Sequence, residues 1–272
     1  MTDWKAKPFH RPRIGPAGWL RVAWRGGALG AVTYGGLALL LILRLIERPL
    51  FGLRRPWTPH ITQSVCRAAF VILRMPIRRA GEPMTDTGAM VANHASWLDI
   101  FALNACTTVY FVAKSEVEGW AGIGWLARAT GTLFIARKGS AARLHQTMLE
   151  QRLHAGHRLV FFPEGTSTDS LRVLPFKSTL FAAFFAERLE RQMHIQPVTL
   201  RYIAPEGLDP RFYGWWGDMD FGGHLLMILA APRQGAVEVT FHPPVPVDAF
   251  EGRKPLANYC ESVIAATLPP NR

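Results

Sequence analysis

Apolar residues fall in two regimes along this chain. From residue 26 to residue 43 no charged side chain occurs, and the run closes on Leu37-Ala38-Leu39-Leu40-Leu41-Ile42-Leu43. As a helix this run reaches about 27 Å, near the lower limit for crossing a bilayer. Gly26, Gly27, Gly30, Gly35 and Gly36 weaken its first half as an isolated helix. A second apolar stretch, residues 65–75, follows Pro56 and Pro59, carries Arg67 and Arg74, and is too short to span. Arginines flank both ends of the first run (Arg21 and Arg25, then Arg44, Arg48, Arg54 and Arg55), so charge bias fixes no orientation. The pattern predicts a helical hairpin over residues 17–75, lying in or on one leaflet with its arginines snorkelling to lipid phosphates. A single true span is the alternative. A cleaved signal peptide is not indicated, because the run is too long and no small-x-small site follows it.

After Arg78 the pattern changes. Short apolar runs at 89–92, 109–113, 132–136, 159–162, 196–202 and 237–242 read as strands. They alternate with helical segments at about 97–105, 119–129, 139–156, 178–191 and 255–267. Such alternation predicts an α/β fold: a mixed, largely parallel sheet flanked by helices, behind an N-terminal membrane-associated helical hairpin. The expected division is residues 1–75 for the basic N-terminus and hairpin and residues 76–272 for the α/β domain. Residues 204–222, with Pro205 and Pro210, read as a long structured loop, and the apolar run 225–231 as core.

Composition narrows the class. Hydrophobic residues make up 49% of the 272, which suits a folded domain with a membrane anchor better than a multi-span transporter. The net charge of +11 favours anionic partners, either a bilayer surface or an acidic carrier. Nucleic acid is set aside, since no zinc finger, aromatic RNA-binding motif or dense basic helix is present. Cys66, Cys106 and Cys260 are widely spaced and read as reduced core thiols.

Three motifs carry candidate chemistry. The first is Asn93-His94-Ala95-Ser96-Trp97-Leu98-Asp99, directly after a strand. Five residues of regular helix would leave His94 and Asp99 about 140° apart. They can meet if His94 sits in the strand-to-helix turn and Asp99 lies in the helix, for which Ser96 is a suitable N-cap. A carboxylate on one imidazole nitrogen fixes the tautomer and leaves the other free as a general base. In a chain with nine histidines, one such pair is not specific alone. The second motif, Gly131-Thr132-Leu133-Phe134-Ile135-Ala136-Arg137, ends a strand on an arginine, a natural clamp for phosphate or carboxylate, and Lys138 follows it. The third, Phe162-Pro163-Glu164-Gly165-Thr166-Ser167, places a carboxylate at another strand edge, where it can hold the polyol part of an acceptor.

In this order the motifs resemble those of the glycerolipid acyltransferase family, which includes 1-acylglycerol-3-phosphate acyltransferases and the bacterial lyso-ornithine lipid branch. The resemblance covers about residues 85–205. It implies His94 as general base, Asp99 as its partner, Arg137 on the acceptor head group, Glu164, Gly165 and Thr166 around the acceptor, and Lys177 as a further anion contact. A fourth family motif maps to Gln196-Pro197-Val198, where Gln196 departs from the usual apolar residue. The implied reaction moves an acyl group from acyl-carrier protein or acyl-CoA to a lysolipid hydroxyl, with no metal or other cofactor. The expected acceptor is 1-acylglycerol-3-phosphate, giving phosphatidic acid. A lyso-aminolipid such as lyso-ornithine lipid is the alternative, suggested by Gly217-Asp218 and His224-Leu225. A non-catalytic lipid-binding protein on the same fold is the third reading. The implied location is the inner, cytoplasmic membrane with the catalytic domain on the cytoplasmic side. A metal site on His145, His154 and His157 is not expected, because no carboxylate or cysteine cluster completes it.

Overall fold

The computed structural model describes residues 4, 8–120, 122–135, 142–185 and 193–268. The N-terminal apolar run is one helix, α1 (Pro16–Phe51), twice the length of the uncharged stretch. It passes through all five glycines without a break. One of them is used for packing: a Cβ on Gly36 would lie 2.3 Å from Val65 on α2 (Thr58–Leu73). Only 11% of the most apolar window of α1 is buried, so this helix is long and apolar enough to cross a membrane. No free-standing hairpin forms. Cys66, Phe70 and Leu73 of α2 are drawn into the core of the α/β body instead.

Four of the arginines expected to snorkel, Arg21, Arg25, Arg55 and Arg67, bond to the body. Arg25, itself buried, donates to the carbonyls of Leu229 and Ala231, and Arg21 donates to Ala230. Those carbonyls end α6 (Phe221–Ala230). Arg67 donates to Ala105 at the end of α3 (Leu98–Cys106), and Arg55 to Ala129 at the end of α4 (Ile123–Thr130). Helix C-termini carry unpaired carbonyls and partial negative charge, which guanidinium groups neutralise.

The sheet is mixed and mostly parallel, as the alternation predicts. Its strands are β1 (Ile77–Ala80), β2 (Gly88–Ala92), β3 (Tyr110–Lys114), β4 (Leu133–Ile135), β5 (Leu159–Phe161), β6 (His194–Ile203), β7 (Ala236–Phe241) and β8 (Val245–Pro246). The order is β1-β7-β6-β2-β5-β3-β4, with β8 beside β6. β6 runs antiparallel to β7 and β8, and the other pairings are parallel. The central strands β2 and β5 are apolar throughout because both their faces are covered. In β2, Met90 and Ala92 face α2, α3 and α6, while Ala89 and Val91 face α5 (Ala142–His154) and α7 (Arg253–Thr267). The apolar run 225–231 is core, as expected, but it sits on a helix. The thiols of Cys66 and Cys260 are pushed up to about 12 by burial and that of Cys106 to about 11, so all three stay protonated.

Gln196 and Pro197 occupy a gap in the pairing. β6 pairs with β8 through Ile195 and with β7 from Val198 onward, so Pro197, which has no N–H, falls where no ladder partner exists on that side. The Gln196 side chain fills the gap. It accepts from the Met84 amide at 2.8 Å and donates to the carbonyls of Glu82 (2.9 Å) and His242 (2.8 Å). The polar residue in an otherwise apolar motif is thus a buried splice. Gln196→Leu strands three backbone groups, and a loss of about 2–4 kcal/mol in denaturant unfolding is expected; stability within 0.5 kcal/mol of wild type would contradict the splice.

Candidate active site

The first and third motifs converge at the carboxyl ends of two neighbouring parallel strands. His94 lies two residues past β2, and Glu164 three residues past β5. Open α/β sheets place their sites at such edges. The Asn93 side chain fixes the exit of β2 by donating to the Leu200 carbonyl and accepting from its amide.

His94 and Asp99 meet as the turn geometry requires. The His94 Nδ1–H donates to Asp99 Oδ2 at 2.7 Å. The same oxygen accepts from the amides of Ala95 at 2.8 Å and Ser96 at 3.0 Å. Asp99 Oδ1 accepts from the Tyr202 hydroxyl at 2.7 Å. The Asp99 side chain is fully buried, whereas that of His94 is 20% exposed. Burial, reinforced by the Asp99 charge, raises the Tyr202 phenol well above its usual value, so it remains a donor. Ser96 departs from expectation: its amide makes one half of a capping box with Asp99, but its buried hydroxyl has no partner among the described residues.

The third motif braces this turn rather than reaching outward. Glu164 is 2% exposed; Oε1 accepts from the His94 amide at 2.6 Å and Oε2 from the Leu174 amide at 2.7 Å. Burial pushes its carboxyl up to about 8, with the two amides pulling the other way. Both Glu164 oxygens are thus engaged by backbone amides, and the side chain clamps the turn. Thr168 completes the clamp by donating its amide to the His94 carbonyl at 2.9 Å. Gly165 has φ +70, and a Cβ there would lie 2.7 Å from the Lys177 ammonium. Its carbonyl accepts from Lys114. Two ammonium groups thus stand over this turn, one of which, Lys114, carried no motif signal. Thr166 is exposed beside them, and Ser167 donates to the Trp215 carbonyl. Arg137 and Lys138 lie outside the described residues.

Aromatic side chains, of which Phe111 carried no motif signal, pack around His94. Phe162 stacks on the imidazole at 4.2 Å, and Phe111 stacks behind Phe162 at 6.0 Å. The Trp97 indole N–H donates to His224 Nδ1 at 2.9 Å. His224 is fully buried, and burial pulls it down to about 4, so it stays neutral. The stretch around Trp215 packs on the site: its amide donates to the Ala95 carbonyl. Asp220 caps α6 through the Gly223 amide and pairs with Arg11. From Trp97 and Phe111 an apolar cavity of about 250 Å³ extends between α1, α2, α3 and α4, lined by Leu37, Leu40, Val65 and Ile123 among others. Among the described residues no cluster of His, Cys, Asp and Glu could hold a metal ion. The arrangement offers a free imidazole Nε2, a polarising carboxylate behind it, cations beside it and an apolar chamber next to it.

Residues 81–201 match the family model for acyltransferases. The chain is 58% identical over 252 residues to the lyso-ornithine lipid O-acyltransferase of Rhodobacter capsulatus, covering 93% of this chain and 91% of that one. It is 40% identical to the enzyme of the same name from Brucella abortus, over 85% of this chain and 90% of that one. Similarity to the 1-acyl-sn-glycerol-3-phosphate acyltransferase of Neisseria gonorrhoeae is 35% over 128 residues, 46% of this chain and 48% of that one. The crystal structure of the 1-acyl-sn-glycerophosphate acyltransferase from Thermotoga maritima shares the fold, with TM-score 0.63 over 92% of this chain and 93% of that one, at 20% identity. With a catalytic-type turn at the expected sheet edge and a relative this similar along nearly its whole length, the chain belongs to the acyltransferase family and is an acyltransferase.

Proposed function

We propose that this protein is a lyso-ornithine lipid O-acyltransferase, moving a fatty acyl group from acyl-carrier protein or acyl-CoA onto the hydroxyl of lyso-ornithine lipid. The observation that carries the acceptor is sequence identity sustained along nearly the whole chain. Relatives named for lyso-ornithine lipid match along nearly the whole chain, whereas the Neisseria glycerophosphate enzyme matches about half of it. The expectation of 1-acylglycerol-3-phosphate as acceptor therefore becomes the second reading. The ornithine carboxylate is an anion, suited to the Lys114 and Lys177 ammonium groups above Gly165 and to Arg137.

His94 acts as general base through Nε2. It takes the proton of the acceptor hydroxyl as that oxygen attacks the thioester carbonyl. The tetrahedral intermediate collapses, the carbon–sulfur bond breaks, and the leaving thiolate receives the proton back from His94. Asp99 holds the imidazole by Nδ1 and balances its transient charge, while Tyr202 and two amides keep Asp99 aimed. The acyl chain lies in the apolar cavity beyond Phe111 and Trp97. Glu164 holds His94 by its backbone, and α1 seats the enzyme on the cytoplasmic membrane with the catalytic body on the cytoplasmic side.

The decisive assay is the full-length enzyme with both donor classes and a panel of lysolipids, read by mass spectrometry. Ornithine lipid is the expected product, and a preference for 1-acylglycerol-3-phosphate would overturn the acceptor. His94→Ala is expected to lower kcat by about 10²–10⁴-fold, and undiminished turnover would remove the base assignment. Tyr202→Phe should lower kcat more than it raises KM. Glu164 gives a pH signature of its own. Its carboxyl ordinarily titrates near 4.5 and is raised to about 8 in the fold, so the folded state holds a proton that the unfolded state releases. Stability should fall as pH rises between those values. Glu164→Gln should flatten that fall, and an unchanged slope would show that Glu164 is not the group responsible.

A further inference from the structure

Arginines and histidines gather at a second cavity, of about 400 Å³, that the acyl-transfer chemistry does not use. Arg55, Pro59 and Tyr110 line both this cavity and the apolar one and so form the wall between them. The polar lining is Arg54, Arg55, His60, Tyr110, His157 and Arg158, with Thr108, and no carboxylate lines it. Arg55 donates to one backbone carbonyl; Arg158 donates to the Met84 carbonyl and the Thr108 hydroxyl. Arg152, stacked over Tyr110 at 4.6 Å, donates to the Gly131 carbonyl, and its Nε has no partner among the described residues. The one acid that acts on this group, Glu47, is fully buried and committed to Arg44, Thr58 and the Trp57 amide.

His157 supplies a second, independent sign of a ligand. It is 5% exposed and lies on Tyr110 at 4.1 Å, and among the described residues neither ring nitrogen completes a hydrogen bond, although the Leu53 carbonyl acts on the ring. Burial and the neighbouring arginines drive it down to about 3, so the ring is neutral. Buried polar groups are rarely left unsatisfied, and buried cations without counter-charge are costly. Several guanidinium donors converging without a carboxylate fit a group with many acceptor oxygens and negative charge, as phosphate has.

We propose that this cavity binds the phosphate of an anionic phospholipid. The rim identifies the source. Phe51 lines the cavity, and Phe51, Leu53 and Trp57 stand 40%, 50% and 42% exposed where α1 ends. Apolar side chains beside a cationic pocket suit the depth at which phosphates meet acyl chains. The bound phosphate ties the α1–α2 connection to β3 and to the segment after α5, and so steadies the wall that Arg55 and Tyr110 present to the acyl cavity.

The test is thermal melting of the full chain in a nonionic detergent without phosphate, titrated with phosphatidylglycerol, oleate or inorganic phosphate. Phosphatidylglycerol should raise Tm by about 4 °C or more near saturation, and oleate should not. Arg54→Gln combined with His60→Gln, both exposed positions, should lose most of that rise. Ala155→Glu puts a carboxylate into the cavity; it should raise Tm without lipid and abolish the response. Should A155E fail to fold, the double variant decides. A rise of equal size with oleate, or an unchanged rise in the double variant, would overturn the proposal. An equal rise with inorganic phosphate would overturn the lipid as its source. Loss of acyl-carrier protein binding in the double variant, with the lipid response intact, would reassign the cavity to that protein. These readouts use no catalytic step, so their failure is separate from failure of the acceptor assignment.

Discussion

The site depends on one buried carboxylate. Asp99 has no access to water, and an ionised carboxylate in that position must be fully hydrogen-bonded or give up its charge. It gathers donors from three places: the imidazole of His94, the two amides of the turn that follows, and the Tyr202 phenol from β6. Satisfying that carboxylate aligns the end of β2, the first turn of α3 and the C-terminal end of β6. The catalytic-type dyad is thus also a structural junction, and the imidazole gains its tautomer and its aim from the same bonds that close the turn.

Glu164 shows how environment separates two carboxyl groups at one site. Asp99 faces a histidine and a phenol, while Glu164 faces only backbone amides and sits where burial raises its carboxyl. One polarises a side chain, and the other holds the backbone that carries it. Phe162, between the β5 strand and Glu164, covers the imidazole face. The residues of the Phe-Pro-Glu-Gly turn therefore act on His94 from two directions.

The N-terminal helix is joined to this body through helix ends. Arg21 and Arg25 cap α6, Arg67 caps α3 and Arg55 caps α4. Four guanidinium groups that read as lipid-facing in the linear pattern are largely spent on backbone carbonyls. α1 can still face a bilayer with its apolar side, because Arg21 and Arg25 are drawn inward. The same capping brings Arg55 to the wall between the two cavities, so anchoring and chamber shape share a residue.

Hydrophobic periodicity determined much of this protein. Central strands such as 89–92 and 159–162 read as continuous apolar runs because both faces of a mostly parallel sheet are buried, and that property is local in the chain. The His94–Asp99 spacing was informative for the same reason: five residues of backbone either bring the pair together at a turn or keep it apart. What the linear pattern could not carry were contacts across large separations. Tyr202 lies 103 positions from Asp99 and looks like any strand tyrosine, and His224 reaches Trp97 from 127 positions away. Gln196 read as a flaw in an apolar motif until the gap between β7 and β8 showed what it fills. Glu164 read as a ligand contact because a carboxylate at a strand edge carries no mark of which way it turns. Amphipathic pattern records whether a side chain is buried; only the tertiary structure decides which buried partner satisfies its charge, because that partner comes from another part of the chain.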